Sequence, residues 1–210
     1  MSELSKIAQT LMEGDGTTLV SLVSKALEEG RAATEILNDE LIATMDLIGE
    51  KMGNGEMFIP EVLMAAHAMS GAVEILKPHL ADGESSSAGT IVIGTVKGDL
   101  HDIGKNLVVM MLESAGFEVI DLGVDVEPEI FIEAIKENEP DILGLSALLT
   151  TTMPMVKKTV ESVDDAGIRE NLKIMIGGAP VNQEFADEIG ADAYAPDAGS
   201  ASRMAKSMIA

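Results

Sequence analysis

Residues Thr90–Asn106 read TIVIGTVKGDLHDIGKN and contain the clearest fold signal in this 210-residue sequence. The first part, Thr90–Val96, is a short apolar run rich in β-branched residues, which predicts a strand that is buried on both faces. A polar loop follows, and a helical pattern then runs over Lys105–Ala115. A strand, a short loop and a helix in this order form the repeating unit of α/β domains with a parallel sheet.

The remainder of the second half repeats this alternation of apolar runs and helical stretches. A helical pattern covers Pro128–Asn138, and further strands are predicted at Phe117–Leu122, Asp141–Ser146, Leu172–Ile176 and, more weakly, Ala191–Ala195. The expected fold is an α/β domain with a flavodoxin-like, doubly wound, five-stranded parallel sheet. Ligands of such folds bind beyond the carboxyl ends of the strands, so the loops at those ends are the candidate functional segments.

The first half of the chain is helical throughout. Four successive stretches have apolar residues at every third or fourth position, and Gly53-Asn54-Gly55 ends the third stretch while Pro60 suits the first turn of the fourth. The apolar stripe of the third stretch comprises Leu37, Leu41, Met45, Ile48 and Met52. The stripe of the fourth comprises Leu63, Ala66, Met69, Val73 and Leu76. Four amphipathic helices predict a small helical bundle.

A Gly/Ser-rich run, Ala81–Gly89 (ADGESSSAG), separates the two halves. Such a run between two periodic segments is typical of a linker. We therefore expect two domains, a helical bundle with its linker over residues 1–88 and an α/β domain over residues 89–210.

The composition excludes several classes of partner. The chain carries 14 Lys and Arg against 36 Asp and Glu, a formal net charge of −22. Nucleic-acid phosphates and anionic membrane surfaces are bound by clustered basic residues, so neither partner is expected. There is no cysteine, and hence no disulfide and no thiolate metal site. Because the sequence shows no signal peptide and no stretch approaching about 20 consecutive apolar residues, a cytoplasmic location is expected.

The loop after the first predicted strand contains a candidate metal ligand, His101. Asp99 lies two residues earlier and can accept a hydrogen bond from one imidazole nitrogen, which would leave the other nitrogen free for a metal. Gly104 removes a side chain at the entrance of the helix, where a bulky group could approach the backbone. The alternative is a loop histidine that only forms a hydrogen bond with its acidic neighbour.

Two further loops have the same character. Ser146–Thr152, after the third strand, is rich in small and hydroxylated residues, and Gly177-Gly178 follows the fourth strand. Each alone is common in tight turns between a strand and a helix. Together they predict a slot at neighbouring strand ends that takes a long, thin ligand.

These three motifs resemble a known family. Asp99-x-His101-x-x-Gly104, then Ser146-x-Leu148, then Gly177-Gly178 is similar to the D-x-H-x-x-G…S-x-L…G-G signature of cobalamin-binding domains. With its helical first half, the whole chain resembles the cobalamin-binding module of methionine synthase. It also resembles the separate corrinoid proteins of methanol, methylamine, betaine and aryl-methyl-ether (O-demethylase) methyltransferase systems.

The resemblance implies a role for each matching residue. The cofactor would be cobalamin or a related corrinoid in its base-off, His-on form. In this form the cofactor's own base has left cobalt, and His101 is the lower ligand of the metal. Asp99 would form a hydrogen bond with His101. Thr152 would complete this hydrogen-bonded relay, at the position where methionine synthase has a serine. The remaining cofactor-binding residues it implies are Asp102, Ile103, Gly104, Ser146, Leu148, Thr150, Gly177 and Gly178. Phe58 and Leu63 of the helical cap would shield the upper face of the corrin, where the methyl group is held.

The resemblance also implies a function. The protein would carry a methyl group on cobalt from a donor-specific methyltransferase to a second methyltransferase that acts on tetrahydrofolate or coenzyme M. A reductive activase would be a third partner. The chain would be a non-autonomous subunit, active only with these partners.

Other functions remain open from the sequence alone. Carrier domains of adenosylcobalamin-dependent mutases resemble the same signature but lack the helical cap. A cobalamin-binding regulatory module would be expected to carry a basic DNA-binding domain, and the first half is poor in Lys and Arg. A phosphoryl-accepting receiver domain would need an acidic pocket with an acceptor Asp at the strand ends, and the third strand ends in Gly-Leu-Ser. A nicotinamide enzyme would need a G-x-G-x-x-G motif after a strand.

Overall fold

The structure is a computed structural model, and it describes residues 4–80 and 88–209. These residues divide into two compact units, a helical one built on residues 4–80 and an α/β one built on residues 88–113 and 117–209. Most of the predicted linker, residues 81–87, lies outside the described residues.

The helical unit contains the four predicted helical stretches. They are α1 (Lys6–Met12), α2 (Gly16–Glu28), a third stretch made of α3 (Ala33–Glu35), a π-helical segment (Ile36–Ile42) and α4 (Ala43–Gly53), and α5 (Ile59–Leu76) with a 3-10 turn (Lys77–His79). Polar side chains begin three of these helices: Ser5 accepts the N–H of Ala8 (3.1 Å), Asp15 accepts the N–H of Thr18 (3.0 Å), and Glu61 accepts the N–H of Phe58 (2.9 Å).

The π-helical segment shifts the buried face of the third stretch. Its fully buried residues at this point are Ile36 and Leu41, five positions apart, and Leu37 is only partly buried. A π turn bonds residues five apart and so brings such a pair onto one face. The predicted stripe is buried at Leu41, Met45 and Ile48, whereas Leu37 and Met52 are only partly buried.

Helix α5 buries a face one residue away from the predicted one at its start. Val62 is fully buried, whereas Leu63 is 37% exposed, so Leu63 is not a core residue as its place in the stripe predicted. Together with the 3-10 turn, this helix (Ile59–His79) is long and apolar enough to cross a membrane by length and composition, and 39% of its most apolar segment is buried inside the protein. It packs against α1, α2 and α4 as a core helix of the bundle does.

The α/β unit has the predicted five-stranded parallel sheet. Its strands are β1 (Thr90–Thr95), β2 (Glu118–Asp121), β3 (Ile142–Ser146), β4 (Lys173–Gly177) and β5 (Ala193–Ala195), in the order β2-β1-β3-β4-β5. The helices are α6 (Ile103–Ser114), α7 (Pro128–Asn138), α8 (Met153–Asp165), α9 (Gln183–Ile189) and α10 (Ala198–Ile209). This order is the flavodoxin-like one, and the buried strands are apolar because helices cover both faces.

The strand order places the functional loops side by side. β1 pairs with β3 in the register Thr95↔Ser146, and β3 pairs with β4 in the register Ser146↔Gly177. The chain passes from β1 to β2 on one side and returns to β3 on the other, so the gap between β1 and β3 is the topological switch point. The loops that follow β1 and β3 leave the sheet at this point.

Candidate functional site

A tight turn begins the loop after β1. The N–H of Asp99 donates to the carbonyl of Val96 (3.1 Å), and Gly98 between them has a φ of +84°. A glycine at the third position of a four-residue turn, with φ near +80°, is characteristic of a type II turn. The turn directs the Asp99 side chain into the protein, where it is fully buried.

Asp99 and His101 make the hydrogen bond expected from their spacing. Nδ1 of His101 lies 2.6 Å from Oδ1 of Asp99, and the backbone N–H of His101 donates to the same oxygen (3.1 Å). A carboxylate at Nδ1 keeps the proton on that nitrogen, so Nε2 carries the lone pair. Half of the His101 side chain is exposed, which leaves the ring able to bind a metal through Nε2.

The second carboxylate oxygen of Asp99 is bound by the loop after β3. Oδ2 accepts the backbone N–H of Leu148 (2.7 Å) and the hydroxyl of Thr152 (2.8 Å). The Thr152 hydroxyl is also 2.9 Å from the carbonyl oxygen of Leu149. The structure therefore brings Asp99, His101 and Thr152 together, as the resemblance implied.

These contacts keep Asp99 ionised inside the protein. Burial alone would raise the pKa of its carboxyl group. The N–H of Leu148, the His101 ring, the Thr152 hydroxyl and the N–H of His101 outweigh burial and hold the pKa of Asp99 well below its usual range. The negative charge is available to orient the imidazole and to strengthen its remaining nitrogen as a ligand.

The surroundings of His101 fit a large apolar cofactor. A Cβ at Gly104 would have nothing within 4 Å, so the helix entrance is open at this position. Leu100, Ile103, Leu148 and Leu149 leave large hydrophobic side chains in solvent, and Ile103 is 82% exposed. Exposed apolar surface of this kind marks a binding site. A single imidazole is a sufficient protein ligand for a metal whose other positions a macrocycle fills.

The other predicted residues of the α/β unit lie at the same edge of the sheet. Ser146 is partly buried at the end of β3, and Thr150 is exposed in the loop beyond it. Asp102 is exposed and accepts the N–H of Asn106 through its carbonyl (2.7 Å) at the start of α6.

The two glycines after β4 differ from Gly104. A Cβ at Gly178, where φ is +128°, would lie 1.8 Å from the carbonyl oxygen of Ala147. At Gly177 it would lie 3.3 Å from the carbonyl oxygen of Ala195. The absence of a side chain at Gly178 is thus required by the packing of two loops, and the space expected there is filled by the chain itself.

Phe58 and Leu63 belong to the helical unit. Phe58 is 67% exposed, and the neighbouring Ile59 and Met64 also leave apolar side chains in solvent. Within this unit they form a hydrophobic surface patch at the start of α5.

Sequence reasoning missed three contributions around the site. The Leu148 backbone N–H is one of the Asp99 donors, and a backbone donor has no signature in the sequence. Lys105 is buried, with 1% of its side chain exposed, and bonds the carboxylate of Asp121 and the side chain of Asn106 (2.8 Å). Asp125 contacts the backbone of the Asp99 turn. Asp121 and Asp125 lie at the two ends of the turn after β2. These acidic residues were the sequence signal that could have indicated the contacts of Lys105 and Asp125.

Comparison with known proteins agrees with this geometry. Two family models described as B12 binding domains match residues 89–203 and residues 3–77. The dimethylamine corrinoid protein 1 of Methanosarcina acetivorans is 45% identical over 208 residues, covering 99% of this chain and 97% of that protein. The chain belongs to the corrinoid protein family. A trimethylamine corrinoid protein of Methanosarcina barkeri is 40% identical, and the match covers 94% of this corrinoid protein and 92% of that one.

Solved structures agree over the full length of this corrinoid protein. A cobalamin-binding protein from Desulfitobacterium hafniense DCB-2 is 34% identical, covers 99% of both chains and has a TM-score of 0.84. The methanol:cobalamin methyltransferase complex MtaBC from Methanosarcina barkeri contains a chain that is 32% identical, with a TM-score of 0.85 over 97% of this chain and 78% of that one. The fold and the cofactor class expected from the sequence are therefore confirmed.

Proposed function

We propose that this corrinoid protein carries a methyl group on the cobalt of cobalamin or a related corrinoid, with His101 as the lower axial ligand. The observation that carries this proposal is the hydrogen bond of 2.6 Å between the buried Asp99 carboxylate and Nδ1 of a half-exposed His101. When bound, the corrinoid supplies the cobalt that takes up and releases the methyl group. The chain supplies ligation, orientation and shielding.

Each residue of the Asp99 network has a distinct task in this proposal. Asp99 keeps the proton on Nδ1 of His101 and so presents Nε2 to the metal. Thr152 and the N–H of Leu148 hold the other carboxylate oxygen, which fixes the plane of Asp99. Because His101 and Thr152 both bond the carboxylate of Asp99, a change in the charge of His101 would alter the hydrogen bond of Thr152.

Further residues form the rest of the cofactor site in this proposal. Asp102, Ile103 and Gly104 line the open entrance of α6, and Gly177 and Gly178 hold the neighbouring turn. Ser146, Leu148 and Thr150 contact the nucleotide tail. Phe58 and Leu63 are exposed and apolar, and they shield the upper face of the corrin. They belong to the helical domain, residues 1–88, and residues 89–210 form the domain that binds the cofactor.

The proposed partners follow from the relatives. Dimethylamine and trimethylamine corrinoid proteins and a methanol:cobalamin methyltransferase complex support a donor-specific methyltransferase as one partner. The other proposed partners are a methyltransferase that acts on tetrahydrofolate or coenzyme M and a reductive activase, all in the cytoplasm. The same relatives favour methyl transfer over an adenosylcobalamin mutase or a regulatory module. We expect the isolated holo-protein to turn over no methyl donor.

The axial ligand is tested by His101→Ala, with His67→Ala as the matched control because His67 is exposed on α5. The chains are loaded with a corrinoid that has no lower base of its own and reduced to Co(II). Electron paramagnetic resonance then detects a coupled nitrogen only if the protein supplies one. We expect the coupling in the wild type and in His67→Ala, and its loss in His101→Ala with an unchanged circular dichroism spectrum. Equal coupling in all three proteins would rule out His101.

A further inference from the structure

The turn after β2 lies along the end of β1. The N–H of Thr95 donates to the carbonyl of Gly123 (2.9 Å), and the N–H of Val126 donates to the carbonyl of Thr95 (3.0 Å). Val96 and Val126 form a parallel bridge beyond the last residues of the two strands. Residues 123–126 therefore continue the sheet up to the Asp99 turn.

Asp125 makes two hydrogen bonds to the backbone on either side of the Gly98–Asp99 peptide. Its Oδ1 accepts the N–H of Gly98 (2.8 Å), and its own N–H donates to the carbonyl of Asp99 (3.0 Å). Nζ of Lys97 lies 3.3 Å from the same carboxylate, which supports the charge of Asp125. One bond is to the backbone of Asp99, whose side chain orients His101, and the other is to the backbone of the residue before it.

The backbone of Asp125 is itself unusual. Its φ is +57°, in the left-handed region, and it is one of two residues other than glycine with a positive φ among residues 4–80 and 88–209. Asp tolerates this region better than most residues, but the conformation still has to be stabilised by its surroundings. Here one residue in this conformation makes both bonds to the Asp99 turn.

We propose that Asp125 is a positioning residue for the axial ligand. By holding the N–H of Gly98 and the carbonyl of Asp99, it fixes where the buried Asp99 carboxylate lies and, through that carboxylate, the orientation of the His101 ring. For cobalt ligation the inference rests on the proposed function. For the ring of the cofactor-free protein it does not.

The test compares Asp125→Gly with Asp141→Gly. Asp125→Gly keeps the N–H and permits a positive φ, so it removes only the carboxylate that accepts from Gly98. Asp141 makes the equivalent pair of bonds at the opposite end of β1: its Oδ2 accepts the N–H of Thr90 (2.8 Å) and its N–H donates to the carbonyl of Thr90 (2.9 Å). Asp141→Gly is therefore a matched loss away from the site. Asp125→Asn, which keeps an acceptor oxygen, is the conservative variant.

Two readouts separate this inference from the proposed function. In the cofactor-free full chain, nitrogen NMR of ring-labelled histidine reports the Nδ1-protonated form of His101. We expect this form to predominate in the wild type and to cease to predominate in Asp125→Gly only. In the Co(II) form loaded with a base-free corrinoid, loss of one hydrogen bond to a charged group predicts a ligation equilibrium about tenfold weaker in Asp125→Gly. Asp125→Asn and Asp141→Gly are expected to match the wild type in both measurements.

The outcomes divide clearly. Wild-type behaviour of Asp125→Gly in both measurements overturns the role of Asp125. Absence of nitrogen coupling in the wild type overturns the axial-ligand assignment, and the NMR comparison still decides whether Asp125 positions the ring. If Asp125→Gly does not fold, Asp125→Ala removes the same acceptor, and Glu139→Ala controls for the strain of alanine at a positive φ, because Glu139 also has a positive φ (+44°).

Discussion

Replacing Thr152 with Val removes one hydroxyl from the buried carboxylate of Asp99 and nearly preserves the shape of the side chain. A hydrogen bond to a charged group contributes about 1.5–3 kcal/mol. The single hydroxyl proton of Thr152 is shared between Asp99 (2.8 Å) and the carbonyl of Leu149 (2.9 Å), so we place the cost near the lower end, about 1.5 kcal/mol. The cofactor-free α/β unit should therefore unfold at a lower urea concentration.

The chain offers both a local probe and a matched control. Its one tyrosine, Tyr194, packs on the core of the α/β unit, and there is no tryptophan, so tyrosine fluorescence in urea follows that unit. Thr159→Val is the control, because Thr159 is fully buried on α8, the helix that follows Thr152, and its hydroxyl donates to the helix carbonyl of Met155 (2.8 Å) and not to a charged group. This control should change the free energy of unfolding by less than about 0.5 kcal/mol. Equal losses in the two variants would refute a charge-stabilising role for Thr152.

Three further predictions concern the same edge of the sheet. Asp99→Asn should destabilise the α/β unit most at neutral pH. The folded pKa of Asp99 is lowered, so its carboxylate contributes fully to the free energy of unfolding above about pH 4, and this contribution is lost as pH falls. The loss of stability of Asp99→Asn relative to the wild type should therefore be smaller in urea titrations at acid pH. Gly104→Val should leave unfolding in urea nearly unchanged, since a Cβ there meets nothing, but should abolish corrinoid uptake measured by visible absorption. Gly178→Ala should cost at least about 3 kcal/mol, or prevent folding, because its Cβ would overlap the carbonyl of Ala147; wild-type unfolding would contradict the tight contact.

The sequence predicted β1, β3 and β4 from their apolar runs because these strands are buried along nearly their whole length. Helix α7 was predicted with its observed bounds, Pro128–Asn138, and each strand was placed within two residues of its observed ends. The contact between Asp99 and His101 was also predictable, since two residues in one short loop have few ways to separate. Thr152 is 53 residues from Asp99 along the chain, and only the resemblance to a known family pointed to it.

What the sequence could not predict depends on backbone geometry. The π-helical segment moved the buried face from Leu37 to Ile36, and nothing in the residue types there distinguishes a π turn from an α turn. The N–H of Leu148 is a donor to Asp99 because the loop after β3 meets the loop after β1. Gly178 was expected to leave space, yet Ala147 fills it, because a glycine pair is equally consistent with both outcomes.

The Asp99 carboxylate, and through it the ring of His101, depends on the register of the sheet as well as on the loop after β1. The donors to Asp99 come from the loop after β1 and from the loop after β3, and these loops meet because Thr95 lies opposite Ser146. A slip of one residue between the two strands would move the loops apart by about 3.3 Å. Hydrogen bonds of 2.7 and 2.8 Å cannot survive such a shift, and a fully buried carboxylate would then lose two of its donors. The energetic cost of an unpaired buried charge therefore favours the one register in which the imidazole is correctly oriented.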